Sequence, residues 1–204
     1  RRHEVVTALA TAVETCALPE DELQALIDAR EFDLAAQAPR DLAALEDYAR
    51  ASSSRLVGLA LRTLGCTDAA AQDAGGPLGL AWALTGLLRA VPFHARQRRR
   101  YLPDDIVAQA GLKTDDLFAL RSPPELRAAV AALAAVAEGH LAEAQARARA
   151  VPKHGRAALL PATLARGYLK TLRQAAYDPF AAQVQQLPPG RVWRLAWASF
   201  LGKL

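Results

Sequence analysis

The stretch Ala83-Leu84-Thr85-Gly86-Leu87-Leu88-Arg89-Ala90-Val91-Pro92-Phe93-His94, running on to Arg98-Arg99-Arg100-Tyr101-Leu102-Pro103, decides the fold. Its first half is apolar on all sides at helical spacing, which suits a helix central in its bundle rather than an amphipathic one at the surface. Its second half is a short basic loop that stops at a proline. The helix reads from about Leu78 to Val91, and Gly75-Gly76-Pro77 reads as the break before it.

Outward from this stretch the chain continues as helices separated by proline, glycine and serine. Val6, Leu9, Ala10 and Val13 form one stripe in a helix from Glu4 to Ala17, closed by Leu18-Pro19. Acids in Glu20-Asp21-Glu22 suit the positive end of a second helix, which runs to about Leu34. A long helix opens near Pro39 with Leu42, Leu45, Tyr48 and Ala49 on one face. Ser52-Ser53-Ser54 interrupts it, and it continues from Leu56 to Gly65.

Beyond the basic loop, Pro103-Asp104-Asp105 starts a short helix ending near Gly111, and Thr114 is a plausible cap for the next. Ser122-Pro123-Pro124-Glu125 has the spacing of a capping box and opens an alanine-rich helix to about Ala150. Leu126, Val130, Leu133 and Leu141 lie near one face of it. A helix from Arg156 to Tyr177 tolerates Pro161 only in its first turns or as a kink. Arg191 to Leu204 forms the last helix.

Composition agrees. The chain has 204 residues, 52% hydrophobic and 23% charged, enough for one large helical domain over residues 1–204. Alanine and leucine dominate while β-branched residues are sparse, which favours helices over strands. No apolar run reaches the roughly 18–20 residues that span a bilayer. Cys16 and Cys66 are far apart and read as reduced thiols. A net charge of +4 suits solubility or weak attraction to an anionic surface, and does not point to nucleic acid.

Gly79, Ala81, Leu84, Thr85, Leu88, Arg89, Tyr101, Leu102 and Pro103 resemble the signature of the squalene and phytoene synthases, the head-to-head prenyl transferases. Their pattern places glutamine, asparagine and aspartate where this chain has Ala83, Gly86 and Ala90. It places a second acidic pair at Phe93 and His94. The run Arg89-Ala90-Val91-Pro92-Phe93-His94, with Ile27-Asp28-Ala29-Arg30-Glu31, is more similar to a divergent branch, the complex I assembly factor with a phytoene-synthase-like domain. The resemblance extends to Tyr48, Gly139-His140-Leu141 and Tyr177-Asp178-Pro179-Phe180. It implies an all-α isoprenoid-synthase bundle, with family helices bearing a first aspartate-rich motif expected before Arg1.

In that family, prenyl diphosphates lie in a helical cavity and Mg2+ stabilises the departing diphosphate. Mg2+ prefers oxygen ligands, chiefly carboxylates, phosphate and water. Ala90 and Phe93 offer no ligand, and His94 is a poor one for a hard ion. No catalytic residue, metal or cofactor is therefore expected, Mg2+ entering only if the chain is a working prenyl transferase. Asp28 and Asp33 read as an ion-paired or solvated face, with a weak cation site as the alternative, and Asp104 and Asp105 as first-turn helix acids.

Arg89, His94, Arg96, Arg98, Arg99 and Arg100 are candidates for holding an anion or a partner's acidic patch, beside the plainer reading of a solvated loop. Tyr48, Trp82 and Tyr101 are cavity candidates. Trp193, Trp197, Phe200 and Leu201 share one helical face beside Arg191, Arg194 and Lys203. That face suits core packing, or contact with a membrane surface.

The expectation is a catalytically degenerate family member acting as a binding or assembly factor at a respiratory membrane. Its location is cytoplasmic or peripheral at the inner membrane, on the matrix side in a eukaryote. A complex I subunit is the partner the resemblance implies, with an isoprenoid lipid or prenyl diphosphate as a further ligand. The alternatives are an active prenyl transferase and an isoprenoid carrier.

Overall fold

The computed structural model describes residues 3–34, 37–186, 190, 193 and 195–197, and every regular element among them is helical. In chain order these are α1 (Glu4–Cys16), α2 (Glu20–Asp28) with a 3-10 extension (Ala29–Leu34), and α3 (Leu42–Ala49). A π-helical turn (Arg50–Ser54) leads into α4 (Arg55–Thr63), followed by the long α5 (Ala69–Arg96). The short α6 (Asp104–Ala110) and α7 (Thr114–Phe118) precede α8 (Pro124–Arg147), α9 (Pro161–Gln174) and α10 (Ala182–Gln185).

α5 and α8 form the centre, with α4 and α9 also packed on α5 and α6 on α8. Leu78, Ala81, Leu84 and Leu88 on α5 meet a core that includes Leu126, Val130, Leu133 and Ala137 on α8, all essentially inaccessible to solvent. Both sets repeat at three or four residues, so each helix lays one continuous ridge against the other. Each buried leucine contributes roughly 1.5–3 kcal/mol relative to exposure. Thr85, the polar intruder on this ridge, satisfies its hydroxyl by donating to the Ala81 carbonyl at 2.7 Å.

The supposed break at Gly75-Gly76-Pro77 lies inside α5, and the helix also runs past Val91 and through Pro92 to Arg96. The glycines serve close approach instead of interruption. A Cβ on Gly75 would come within 3.0 Å of Leu61 Cδ1 and 3.2 Å of Val57 Cγ1 on α4. Pro77 cannot donate to the carbonyl of Asp73 one turn back. Arg147 at the end of α8 takes that acceptor instead, at 3.4 Å.

Other boundaries shift for similar reasons. Thr114 is the first residue of α7, whose cap is Lys113. Pro123 caps α8, while Ser122 Oγ accepts from Arg127 Nε at 3.2 Å, so the capping box does not form. Pro161 opens α9, and the residues before it form a separate 3-10 segment, Lys153–Leu159. The Ser52–Ser54 interruption is the π turn itself, where Ser54 donates to the Gly76 carbonyl at 2.7 Å.

The α1 stripe faces outward, Val6 being 61% and Leu9 46% exposed. Of the last helix, Trp193 and Leu195–Trp197 are helical, and Trp193 and Trp197 are 80% and 65% exposed. Arg191, Arg194, Phe200, Leu201 and Lys203 lie outside the described residues. Cys16 and Cys66 are free thiols. No helix among the described residues is long and apolar enough to cross a membrane.

Candidate functional site

α2, the α3–α4 turn and α5 enclose an open cavity of about 420 Å³. Leu26, Leu56, Trp82 and Leu87 give it an apolar lining, with Arg30, Tyr48, Ser52 and Ser53 as the polar part. Tyr48 and Trp82 line it. Tyr101 does not; it borders a small neighbouring pocket with His94, Arg99 and Arg100.

Ala83, Gly86, Ala90 and Phe93 succeed one another at three- and four-residue steps along one face of α5. Ala83 and Gly86 line the cavity directly, and a Cβ on Gly86 would meet nothing within 4 Å. Phe93 is 58% exposed. This face carries no oxygen ligand, and among the described residues no group of three or more His, Cys, Asp or Glu could hold a metal ion. The α5 face Ala83-Gly86-Ala90-Phe93 therefore does not fit a Mg2+ site.

Asp33 is drawn into a different structure. Its Oδ1 accepts from the hydroxyls of Tyr48 and Tyr101, at 2.9 and 2.7 Å, and its Oδ2 accepts from Arg30 Nη1 at 3.2 Å. Arg30 also donates to the Tyr48 oxygen at 2.8 Å. Phe32 packs against the Tyr48 ring, with 4.9 Å between centroids. Arg99 donates to the carbonyls of Phe32 and Asp33 and lies 4.9 Å over the Tyr101 ring. A carboxylate so filled, flanked by two guanidinium groups, is a poor place for a dication. Asp28 stands apart and accepts from Gln24 Nε2 at 2.8 Å. The cation reading of Asp28 and Asp33 is therefore corrected: Asp33 is the anchor of a polar clasp.

Burial pushes the Asp33 carboxyl upward, and the hydrogen bonds from Tyr101, Tyr48 and Arg30 outweigh it, leaving its pKa below the ordinary value. Burial and then the bond to Asp33 raise Tyr48 to about 12 and move Tyr101 in the same direction. For Asp33, the stability gained is complete above the unfolded carboxyl value near ~3.9 and is lost as pH falls through the lower folded value. For the tyrosines it is complete below their unfolded value near ~10 and is lost as pH rises above it. Thermal melting should therefore show an extra alkaline loss between about pH 10 and 12 that shrinks in Tyr48→Phe. An unchanged alkaline limb in that variant would remove Tyr48 from the clasp.

The basic loop is dealt out to several partners. Arg89 lies 3.8 Å over the Tyr168 ring and Arg98 5.5 Å over Phe118. Arg100 donates to the Leu102 carbonyl at 2.8 Å and pairs with Asp104. Arg96 is exposed. The His94 ring stacks on Tyr101 with 4.6 Å between centroids, and burial followed by the charge on Arg99 lowers its pKa. Both effects favour the neutral ring over the charged one. Arg96 and Arg98 are the members of this run that face outward.

Sequence patterning alone did not pair Asp33 with Tyr101, 68 residues away, nor His140 on α8 with Glu46 on α3, whose Nε2 and Oε1 lie 2.8 Å apart. Nothing in local spacing encodes either contact.

A family model for squalene/phytoene synthase matches residues 1–197, and the chain belongs to that family. It is 32% identical over 182 residues to NADH dehydrogenase (ubiquinone) complex I, assembly factor 6, of Mus musculus, covering 89% of this chain and 55% of that protein. It therefore spans about half the length of that relative. It is 27% identical over 187 residues to presqualene diphosphate synthase of Rhodopseudomonas palustris, covering 91% of this chain and 66% of that protein. The fold matches squalene synthase HpnC from Alicyclobacillus acidocaldarius with a TM-score of 0.79 at 24% identity, over 85% of this chain and 66% of that one.

Proposed function

We propose that the chain is a catalytically silent squalene/phytoene-synthase-like protein that serves as a binding and assembly factor for respiratory complex I. The observation that carries this reading is the α5 face Ala83-Gly86-Ala90-Phe93, which presents no metal ligand to the cavity where the family's acids would stand. The clasped Asp33 adds to it, since its carboxylate is engaged by two tyrosines and Arg30. The likeness to assembly factor 6 supplies the partner class, a subunit or assembly intermediate of complex I.

In this role the protein works at the membrane face where complex I is built, matrix-side in a mitochondrion and cytoplasmic in a bacterium. The exposed Arg96 and Arg98, with Trp193 and Trp197, are surfaces for peripheral contact with that membrane or with a partner. The test is loss of the gene in the cells that encode it. Assembled complex I, measured by native gel electrophoresis, should fall at least several-fold, and the complete protein should restore it. Normal complex I levels in the deletion would overturn the proposal.

The cavity supports a second reading, carriage of an isoprenoid lipid without chemistry. Its volume of about 420 Å³ and its wall of Leu26, Leu56, Trp82 and Leu87 suit an apolar chain. Mass spectrometry of lipids copurifying with the native protein should then find a stoichiometric isoprenoid, and a lipid-free protein would exclude the carrier.

A further inference from the structure

On the other side of α4 from this cavity, a second depression of about 250 Å³ runs between α4 and α5 and is open to solvent. The two share no lining residue. Its character is also opposite: Arg50, Arg55 and Arg62 line it, with Glu22 as its single acid. Arg50 and Arg62 are twelve residues apart across the π turn and α4, a helical rise of about 18 Å. The π turn matters to this alignment, because its extra residue per turn rotates Arg50 relative to α4.

The arginines differ in how firmly they are engaged. Arg55 pairs with Glu22 and donates to the Ala51 carbonyl, so it is fixed in place. Arg50 pairs with Asp47 at 2.8 Å and more loosely with Glu46 at 4.0 Å, its side chain 55% exposed. Exposed pairs of this kind are weak and exchange readily for another carboxylate. Arg62 makes no ion pair with any described residue.

The floor is made of glycine. A Cβ on Gly76 would meet nothing within 4 Å, so its side of the groove is open space. Gly58 opposite it has only the Gln72 Oε1 near its missing Cβ, at 3.0 Å. Small residues between two helices let a third approach closely.

We propose that this groove docks an acidic helix of a protein partner, with carboxylates on Arg50 and Arg62 and its backbone laid over the open side of Gly76. A guanidinium fork matches a carboxylate in two parallel hydrogen bonds. The spread of the cations along about 18 Å fits an elongated acidic ligand better than one phosphate or diphosphate group. The proposal rests on the reading of the chain as a binding protein and names the partner's chemistry.

The probe is a synthetic alanine-rich helical peptide with glutamate at every fourth position, titrated into the complete protein and followed by fluorescence anisotropy. The double variant R50E/R62E should bind at least about tenfold more weakly. G76E, which places a side chain and a negative charge in open space, should lose binding to the same degree with an unchanged circular dichroism spectrum. R149A/K153A, which removes two exposed cations outside the groove, should bind within about twofold of wild type, separating this groove from general charge attraction. Absence of binding to wild type, equal binding by the groove variants, or displacement by stoichiometric inorganic diphosphate or by phosphatidylglycerol vesicles would each overturn the proposal. Peptide binding is independent of complex I levels and of diphosphate turnover. A protein that binds the peptide yet leaves complex I assembly untouched therefore refutes the assembly role and keeps the groove.

Discussion

Gly79→Ala is expected to lower stability by about 3 kcal/mol or more, enough to unfold much of the population at temperatures where the wild type is folded. The added Cβ would sit 2.2 Å from Ser54 Cα and 2.4 Å from its backbone nitrogen. Both are main-chain atoms in the π turn, so no side-chain rotation can relieve the clash. The π turn and α5 would have to separate, and with them the Ser54 bond to the Gly76 carbonyl. Gly76→Ala, one turn away in open space, is the control: it should be neutral or stabilising by up to about 1 kcal/mol through helix propensity. Chemical denaturation of the two variants measures the contrast. Equal stabilities would mean that α5 does not pack against the turn at Gly79.

Asp33→Ala should cost about 2–4 kcal/mol, because two phenolic hydroxyls and a guanidinium lose a shared acceptor in a partly buried place. The effect should be local as well as global. Amide exchange in Ala29–Leu34 should accelerate more than exchange in α8, since Tyr48, Tyr101 and Arg99 hold that segment against α3 and the loop after α5. Asp33→Asn keeps an acceptor and should lose less. If Asp33→Ala melts with the wild type and Ala29–Leu34 stays protected, the clasp is not what secures this edge of the cavity.

Much of the architecture is legible in the chain because helical periodicity and its punctuation are local. The all-round apolar character of Leu78 to Val91 correctly marks a central helix, and the Ser52–Ser54 interruption marks a real change of helical pitch. The misreadings arise where a contact outside the local pattern sets the conformation, across the bundle in one case and one turn along in another. Gly75-Gly76-Pro77 looks like a stop in isolation, yet Val57 and Leu61 require the small residues and Arg147 caps the carbonyl that Pro77 leaves. Ser122 looks like a cap, yet Arg127 engages it.

The site divides in the same way. The absent ligands at Ala83, Gly86, Ala90 and Phe93 are visible because a motif with fixed helical spacing places them on one face. The fate of the charged residues is not visible. Arg99 and Arg100 read as part of one basic run but are committed to internal acceptors, and Asp33 reads as an ion-paired or solvated acid but also accepts from two distant tyrosines. Arg50, Arg55 and Arg62 carried no signal, because their spacings of five and seven fall on one groove only when the π turn shifts the helical phase.

Diphosphate release tests most directly the proposal that this bundle keeps a prenyl-synthase fold without magnesium chemistry. The complete protein, incubated with labelled farnesyl or geranylgeranyl diphosphate and Mg2+, should release no more diphosphate than a heat-inactivated control. Sustained, Mg2+-dependent release above that control, with formation of a head-to-head prenyl product, would contradict it and make the chain a working synthase.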